Sequence, residues 1–262
     1  MKKRLFKFHR RSFTYPYLVV GLFFVVVPLL LILFYAFTNR QEQFSLSNLW
    51  EITSSKLTYK ILADSILLAI LTSLICLLIA YPLALLLSNA KFNRSKTIVL
   101  IFVIPMWVNF LLRTYALREL LSLFGVGIGY KAVLIGMVYD FFPFMLLPLY
   151  TTISSLDKSH MEAGCDLGAS PIQNFFRVIL PLSVPGIVSG VIMTFMPALS
   201  TFAINDLLGD ARLYLFGNWI NDYYSELWNF AGALAFVMLV FVALLMLGMG
   251  RLNRTENKAS AL

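Results

Sequence analysis

Six apolar runs of about twenty residues divide this chain of 262 residues, and each is long enough to cross a bilayer. They fall near residues 17–37, 61–87, 97–117, 131–153, 182–204 and 230–249. Hydrophobic residues make up 60% of the chain, charged residues only 13%, and the mean hydropathy is +0.81. That is too apolar for a soluble domain of this length. The expected fold is all-α, a polytopic membrane protein with six transmembrane helices. It divides into a basic N-terminus (1–16), a spanning domain (17–250) and a tail (251–262). The first run lacks a small-residue cleavage site after a short core, so it reads as an uncleaved span rather than a signal peptide.

The net charge of +8 is distributed by topology. Lys2, Lys3, Arg4, Lys7, Arg10 and Arg11 precede the first run; Lys91, Arg94 and Lys96 separate the second from the third; Arg251, Arg254 and Lys258 follow the last. The segment between runs five and six is acid-rich, with Asp206, Asp210, Asp222 and Glu226. Positive residues stay on the cytoplasmic side, so both termini and residues 154–181 are expected there. The basic balance therefore calls for no nucleic-acid partner. Cys76 and Cys165 form no C-x-x-C, His9 and His160 are isolated, and no disulfide framework or metal site is expected. Gly125-Val-Gly-Ile-Gly-Tyr-Lys131 fails the phosphate-loop spacing. No nucleophile–base arrangement stands out, so a non-catalytic chain without a nucleotide site of its own is expected.

Charges inside hydrocarbon are expensive and mark a cavity or a partner. Asp140 lies about ten residues into the fourth run, near mid-membrane, and reads either as a pathway group or as half of a structural ion pair. Asp206 stands at the outer end of the fifth, in the pathway or at the water interface. Asp64 reads as a helix-start residue. Arg113 shares a helix face with Asn109 and is a resting partner for Asp140 or Asp206. Trp107, Tyr115 and Tyr139 offer faces for a cation, or else anchor and pack. Pro28, Pro82, Pro105, Pro143, Pro148 and Pro197 fall in the runs and would bend them, unless the membrane helices simply tolerate them.

Between the fourth and fifth runs lies one ordered polar stretch, residues 157–190. Glu162, Ala163, Gly164 and Asp166 sit on a short helical pattern ending near Gly168. Ser170, Pro171 and Gln173 then form a capping box with proline at the first helical position. The stretch reads as helix, tight turn, helix. Its pattern, Glu162-Ala163-Gly164, Gly168 and Val178-Ile179-Leu180-Pro181, resembles the "EAA" signature of ABC-importer permeases. Gly164 replaces the second alanine, at up to about 1 kcal/mol of helix stability, and Val178 replaces isoleucine. The resemblance implies a type I permease bundle whose coupling helix docks on an ATP-hydrolysing subunit through Glu162, Ala163, Gly164, Asp166, Gly168, Leu180 and Pro181.

Three further stretches narrow the resemblance. Ile104-Pro-Met-Trp-Val-Asn-Phe-Leu-Leu-Arg-Thr-Tyr115, Val138-Tyr-Asp-Phe-Phe-Pro-Phe-Met-Leu-Leu-Pro-Leu-Tyr150 and Asn205-Asp206-Leu-Leu-Gly209 are similar to spermidine/putrescine permeases of the PotB type. That implies a bacterial inner-membrane heterodimer with a second permease, two ATPase copies holding ATP and Mg, an extracytoplasmic binding protein and a polyamine cargo moved by alternating access. Related permeases carry thiamine, ferric ion, sulfate or opines, which is the alternative within the class. An ion-coupled secondary transporter with Asp140 as carrier is the alternative outside it; that reading leaves the coupling signature unexplained.

Overall fold

The computed structural model describes residues 14–89, 97–157, 159, 164, 166 and 168–259. Among the described residues the regular elements are helices, joined by turns and an isolated bridge between Thr38 and Phe44. The chain divides into two units.

The first unit comprises residues 1–55 and 220–240. Helix α1 (Thr14–Gly21), a π turn (Leu22–Val26) and α2 (Val27–Ala36) form one apolar rod, of which Tyr17–Ala36 is long enough to span. Pro28 sits in the first turn of α2, where its missing N–H meets the widened turn. Phe23, Phe24 and Leu30 are exposed on this rod, as suits a surface wetted by lipid tails. Helix α3 (Ser47–Ser54) lies between the first and second apolar runs and buries Ile52. Further along the chain come α11 (Phe216–Tyr224) and α12 (Trp228–Ala259), each of which runs through both units. Within the first unit, the Asn229 side chain donates to Thr38 Oγ1 at 2.7 Å, and Gly232 leaves room for Tyr35, whose Cβ a side chain there would meet at 2.7 Å.

The second unit, residues 56–219 and 241–262, is built on three long helices. These are α4 (Lys56–Ser88), α7 (Tyr130–Ser155) and the rod Pro171–Ser200, made of α8 (Pro171–Asn174), a π turn (Phe175–Ile179) and α9 (Leu180–Ser200). Cys76, Ala80 and Ala84 of α4 meet Met145, Leu146 and Leu149 of α7 in one buried cluster. Gly186 and Gly190 of α9 are one turn apart and back onto α7. Side chains there would lie 2.6 Å from Thr152 Oγ1 and 2.8 Å from Met145 Sδ. Small residues at this spacing let two helices approach where lipid supplies no hydrophobic drive. Tyr81 OH and Ser183 Oγ, 2.7 Å apart, tie α4 to α9. Pro82, Pro143 and Pro148 lie inside unbroken helices.

Two expected spans differ from the sequence reading. The third is not one helix over 97–117. Helix α5 (Ile98–Val103) passes into a 3₁₀ turn (Ile104–Trp107), Val108 is extended at ψ 142, and α6 (Phe110–Leu123) leaves at 102°. Pro105 lies in the first turn of the 3₁₀ segment, and Asn109 caps the new helix, accepting from Leu111 N at 2.9 Å and Leu112 N at 3.3 Å. The fifth begins earlier, at Pro171, and ends at Ser200, because Thr201 turns extended before a separate short helix, α10 (Ala203–Leu208). Among the described residues five helices are long and apolar enough to span, and the count is six if the bent pair is one span.

Candidate functional site

The break in the third span carries a charge, and α7 of the same unit neutralises it. Arg113 is on the first turn of α6, placed there by the Asn109 cap. Its Nη1 donates back across the break to Pro105 O at 2.8 Å, and its Nη2 lies 2.9 Å from Asp140 Oδ1 on α7. Thr114 Oγ1 donates to the other carboxylate oxygen at 3.0 Å. Asp140 is 1% exposed, so the ionised pair stands in a low-dielectric setting where neither charge is tolerable alone. The Arg113 guanidinium also lies 5.8 Å from the Tyr139 ring centroid, within cation–π reach. The fork is under-satisfied. Asp140 Oδ1 receives no well-aligned hydrogen bond in spite of its short distance to Nη2, and Arg113 Nε has no partner among the described residues.

A cavity of about 600 Å³ opens beside this group, walled by Ile104, Val108, Leu112 and Leu120, with Arg113 and Tyr139 as its polar edge. Trp107 is 89% exposed on the 3₁₀ turn, and Tyr115 is half exposed on α6; neither lines the cavity. Arg113, Asp140 and Tyr139 are thus brought together, and Asn109 serves them as a cap. Asp206 is elsewhere. It is exposed in the first turn of α10, and Asn218 Nδ2 donates to its Oδ1. Neighbouring Asn205 is buried and donates to Leu213 O at 2.9 Å and to Asn218 Oδ1 at 3.0 Å. Of the two partners open to Arg113 in the sequence, the structure selects Asp140.

In the candidate coupling segment, Glu162 and Ala163 lie outside the described residues. Gly164 O accepts from Ala169 N at 3.1 Å, Gly168 turns the chain at φ +78, and the Ser170–Gln173 capping box starts α8 with Pro171 in its first turn. Asp166 is exposed, Leu180 packs on the α4–α7 cluster at the start of α9, and Pro181 is exposed beside it. The second helix of the segment is therefore the beginning of the fifth span. Thr114, Asn174, Asn205, Asn218 and the Pro105 carbonyl went unsingled in the sequence. Each is an ordinary polar group whose neighbour lies on another element or across a break; the Ile104–Tyr115 stretch drew attention to Pro105 and Thr114, and the Asn205–Gly209 stretch to Asn205.

Long apolar helices packed through small residues, a charged break in one span and a polar segment between two others define a multi-pass membrane transport component. The chain belongs to the family described as binding-protein-dependent transport system inner membrane component, which matches residues 4–257. It is 35% identical over 267 residues to the spermidine/putrescine transport system permease protein PotB of Haemophilus influenzae, covering 90% of this chain and 91% of that one. To the protein of the same name in Escherichia coli K12 it is 33% identical over 260 residues, covering 90% and 94%. Among solved structures it matches a chain of a bacterial ABC transporter involved in the import of the acidic polysaccharide alginate, with TM-score 0.75, 16% identity and 94% of each chain covered. That likeness shows the type I ABC importer permease fold. The chain is a membrane-embedded permease subunit, which sets aside the ion-coupled carrier.

Proposed function

We propose that this permease moves polyamines of the spermidine/putrescine type into the cytoplasm by alternating access. The observation that carries the reading is identity of 33–35% across nine-tenths of the chain to permeases named for that transport. Both termini and the segment 154–181 lie in the cytoplasm on this reading, as the charge pattern argues. The chain pairs with a second permease subunit and two ATP-binding subunits, which hold ATP and Mg, and receives its cargo from an extracytoplasmic binding protein. Glu162, Ala163, Gly164, Asp166, Gly168, Leu180 and Pro181 form the coupling contact. Asp206, exposed and held by Asn218, offers the cargo a carboxylate, and Trp107, Tyr115 and Tyr139 offer aromatic faces. Asp140 serves the pathway as the counter-charge that keeps Arg113 from repelling a polycation. The complete importer in proteoliposomes tests this. Spermidine or putrescine with the binding protein should stimulate ATP hydrolysis, and thiamine, ferric ion, sulfate or an opine should not. Stimulation by one of those solutes and not by a polyamine would overturn the polyamine reading.

A further inference from the structure

We infer that Arg113 is a positioning residue that sets the shape of the broken third span by holding both of its arms at once. The polar groups in play are on three elements. Pro105 supplies a carbonyl on the arm before the break, Arg113 and Thr114 lie on the arm after it, and Asp140 is on α7. Val108 and Asn109 carry the bend, and the backbone bonds they make stay on their own arms: Val108 N closes the 3₁₀ turn onto Pro105 O at 3.2 Å, Asn109 O accepts from Arg113 N at 3.1 Å, and the Asn109 side chain caps forward into α6. The contact that reaches back from α6 to the residue before the bend is the Arg113 fork. The planar guanidinium donates Nη1 to Pro105 O and presents Nη2 to Asp140 from two nitrogens held in one rigid plane; an ammonium carries its three donors on a single nitrogen at the end of a flexible stem and fixes no such angle.

The cavity walls follow from this hold. Ile101, Ile104, Pro105 and Val108 come from before or at the bend, and Leu112, Ala116 and Leu120 from after it, so the fork defines the angle between the two walls. Asp140 acts through Arg113: it is too buried to meet cargo, and what it contributes is the charge that fixes the fork to α7. Asp140 Oδ1 and Arg113 Nε keep hydrogen-bonding capacity that the fork leaves unfilled. This goes beyond the proposed cargo and does not depend on it.

The test separates a fork from a mere charge. Spin labels are placed at Ile101→Cys and Leu120→Cys, both exposed and on opposite arms, in a Cys76→Ser/Cys165→Ser background of the complete importer. Their distance distribution is measured for the parent, Arg113→Lys, Arg113→Gln and the apolar exchange Arg113→Leu/Asp140→Leu. The expected result is one narrow population in the parent and a broadened one in all three variants. Spermidine uptake per assembled complex should fall in Arg113→Lys by roughly tenfold, the size of one lost charge-assisted contact. A parental distribution and parental uptake in Arg113→Lys would overturn the fork and leave Arg113 as a charge. Should Arg113→Lys fail to assemble, the apolar exchange decides: it buries no lone charge, and a narrow parental distribution in it would equally overturn the proposal. If the parent takes up no spermidine, the cargo reading fails while the distances still judge the fork.

Discussion

Asn174 stands in the space that a side chain on Gly164 would take: a Cβ there would lie 2.6 Å from Asn174 Oδ1 and 3.1 Å from its Cγ. Asn174 is buried at the end of α8, so it has little room to withdraw. Replacing Gly164 with alanine gains up to about 1 kcal/mol of helix propensity but meets overpacking of typically 1–3 kcal/mol. The clash wins. Gly164→Ala should lower thermal stability and ATPase-coupled uptake, and Gly164→Ala/Asn174→Ala should recover most of both. Purified complexes compared by thermal melting and uptake check this; equal loss in single and double variants would refute the pairing.

Gly168 separates backbone strain from docking. Its φ is +78, yet a side chain there meets nothing within 4 Å. Gly168→Ala should therefore lose only about 1–2 kcal/mol from left-handed strain. Gly168→Asp adds a charge on the surface proposed to face the ATPase and should abolish co-purification of that subunit. The measurement is the ratio of ATPase to permease after gentle purification. Normal ratios in Gly168→Asp would remove the residue from the coupling contact.

The two carboxylates should behave differently. Asp206→Asn keeps a folded chain and loses one exposed charge-assisted contact, roughly 1.5–3 kcal/mol or about tenfold or more in apparent polyamine affinity. Asp140→Asn instead leaves Arg113, a tenth exposed at the cavity edge, without its counter-charge, a loss of at most about 3–5 kcal/mol. It should lower the amount of assembled complex and be partly rescued by Arg113→Gln. Uptake normalised to assembled complex distinguishes these, and wild-type polyamine uptake in Asp206→Asn would take that residue out of the pathway.

Orientation follows from charge and is open to labelling. With Cys76 and Cys165 replaced, Asp222→Cys should react with a membrane-impermeant thiol reagent in intact cells, and Asp166→Cys should not. Both positions are exposed. Asn218, in the same acidic segment as Asp222, is a poor probe because it is buried and bonded to Asp206 and Asn205. The reverse labelling pattern would invert the topology.

The approach of α9 to α7 depends on an absent side chain. At Gly190 a Cβ would sit 2.8 Å from Met145 Sδ and 3.1 Å from its carbonyl oxygen. Gly190→Ala should destabilise the assembled subunit by roughly 1–3 kcal/mol, and Gly190→Leu should abolish assembly. Yield of monodisperse complex is the readout, with Gly248→Leu as control, since a side chain there meets nothing within 4 Å.

Much of the architecture was legible because its causes are local. Twenty contiguous apolar residues have no favourable place but the bilayer, which located the spans near residues 17–37, 61–87 and 131–153. The capping box at Ser170 and Gln173 could be read from spacing because a helix start is settled within four residues. The EAA-like signature was legible for the same reason, as a pattern inside one stretch. The 102° break at Val108 was not, since composition is apolar on both sides of it, and Pro105 sits in a run no different from those in which Pro82 and Pro143 leave the helix unbroken.

The chain's own order of residues settled that it crosses the membrane, roughly where, and where the helix at Ser170 begins. These follow from transfer free energies and helix capping, both sums over neighbouring residues. Which helices touch settled everything that depends on pairs. Arg113 had two candidate carboxylates of the same type and chose Asp140 because α6 packs beside α7 there, while Asp206 went to Asn218. Asn174 became the reason for a glycine ten positions earlier once the turn at Gly168 folded one onto the other. A buried charge finds its partner through space, and distance along the chain does not encode that.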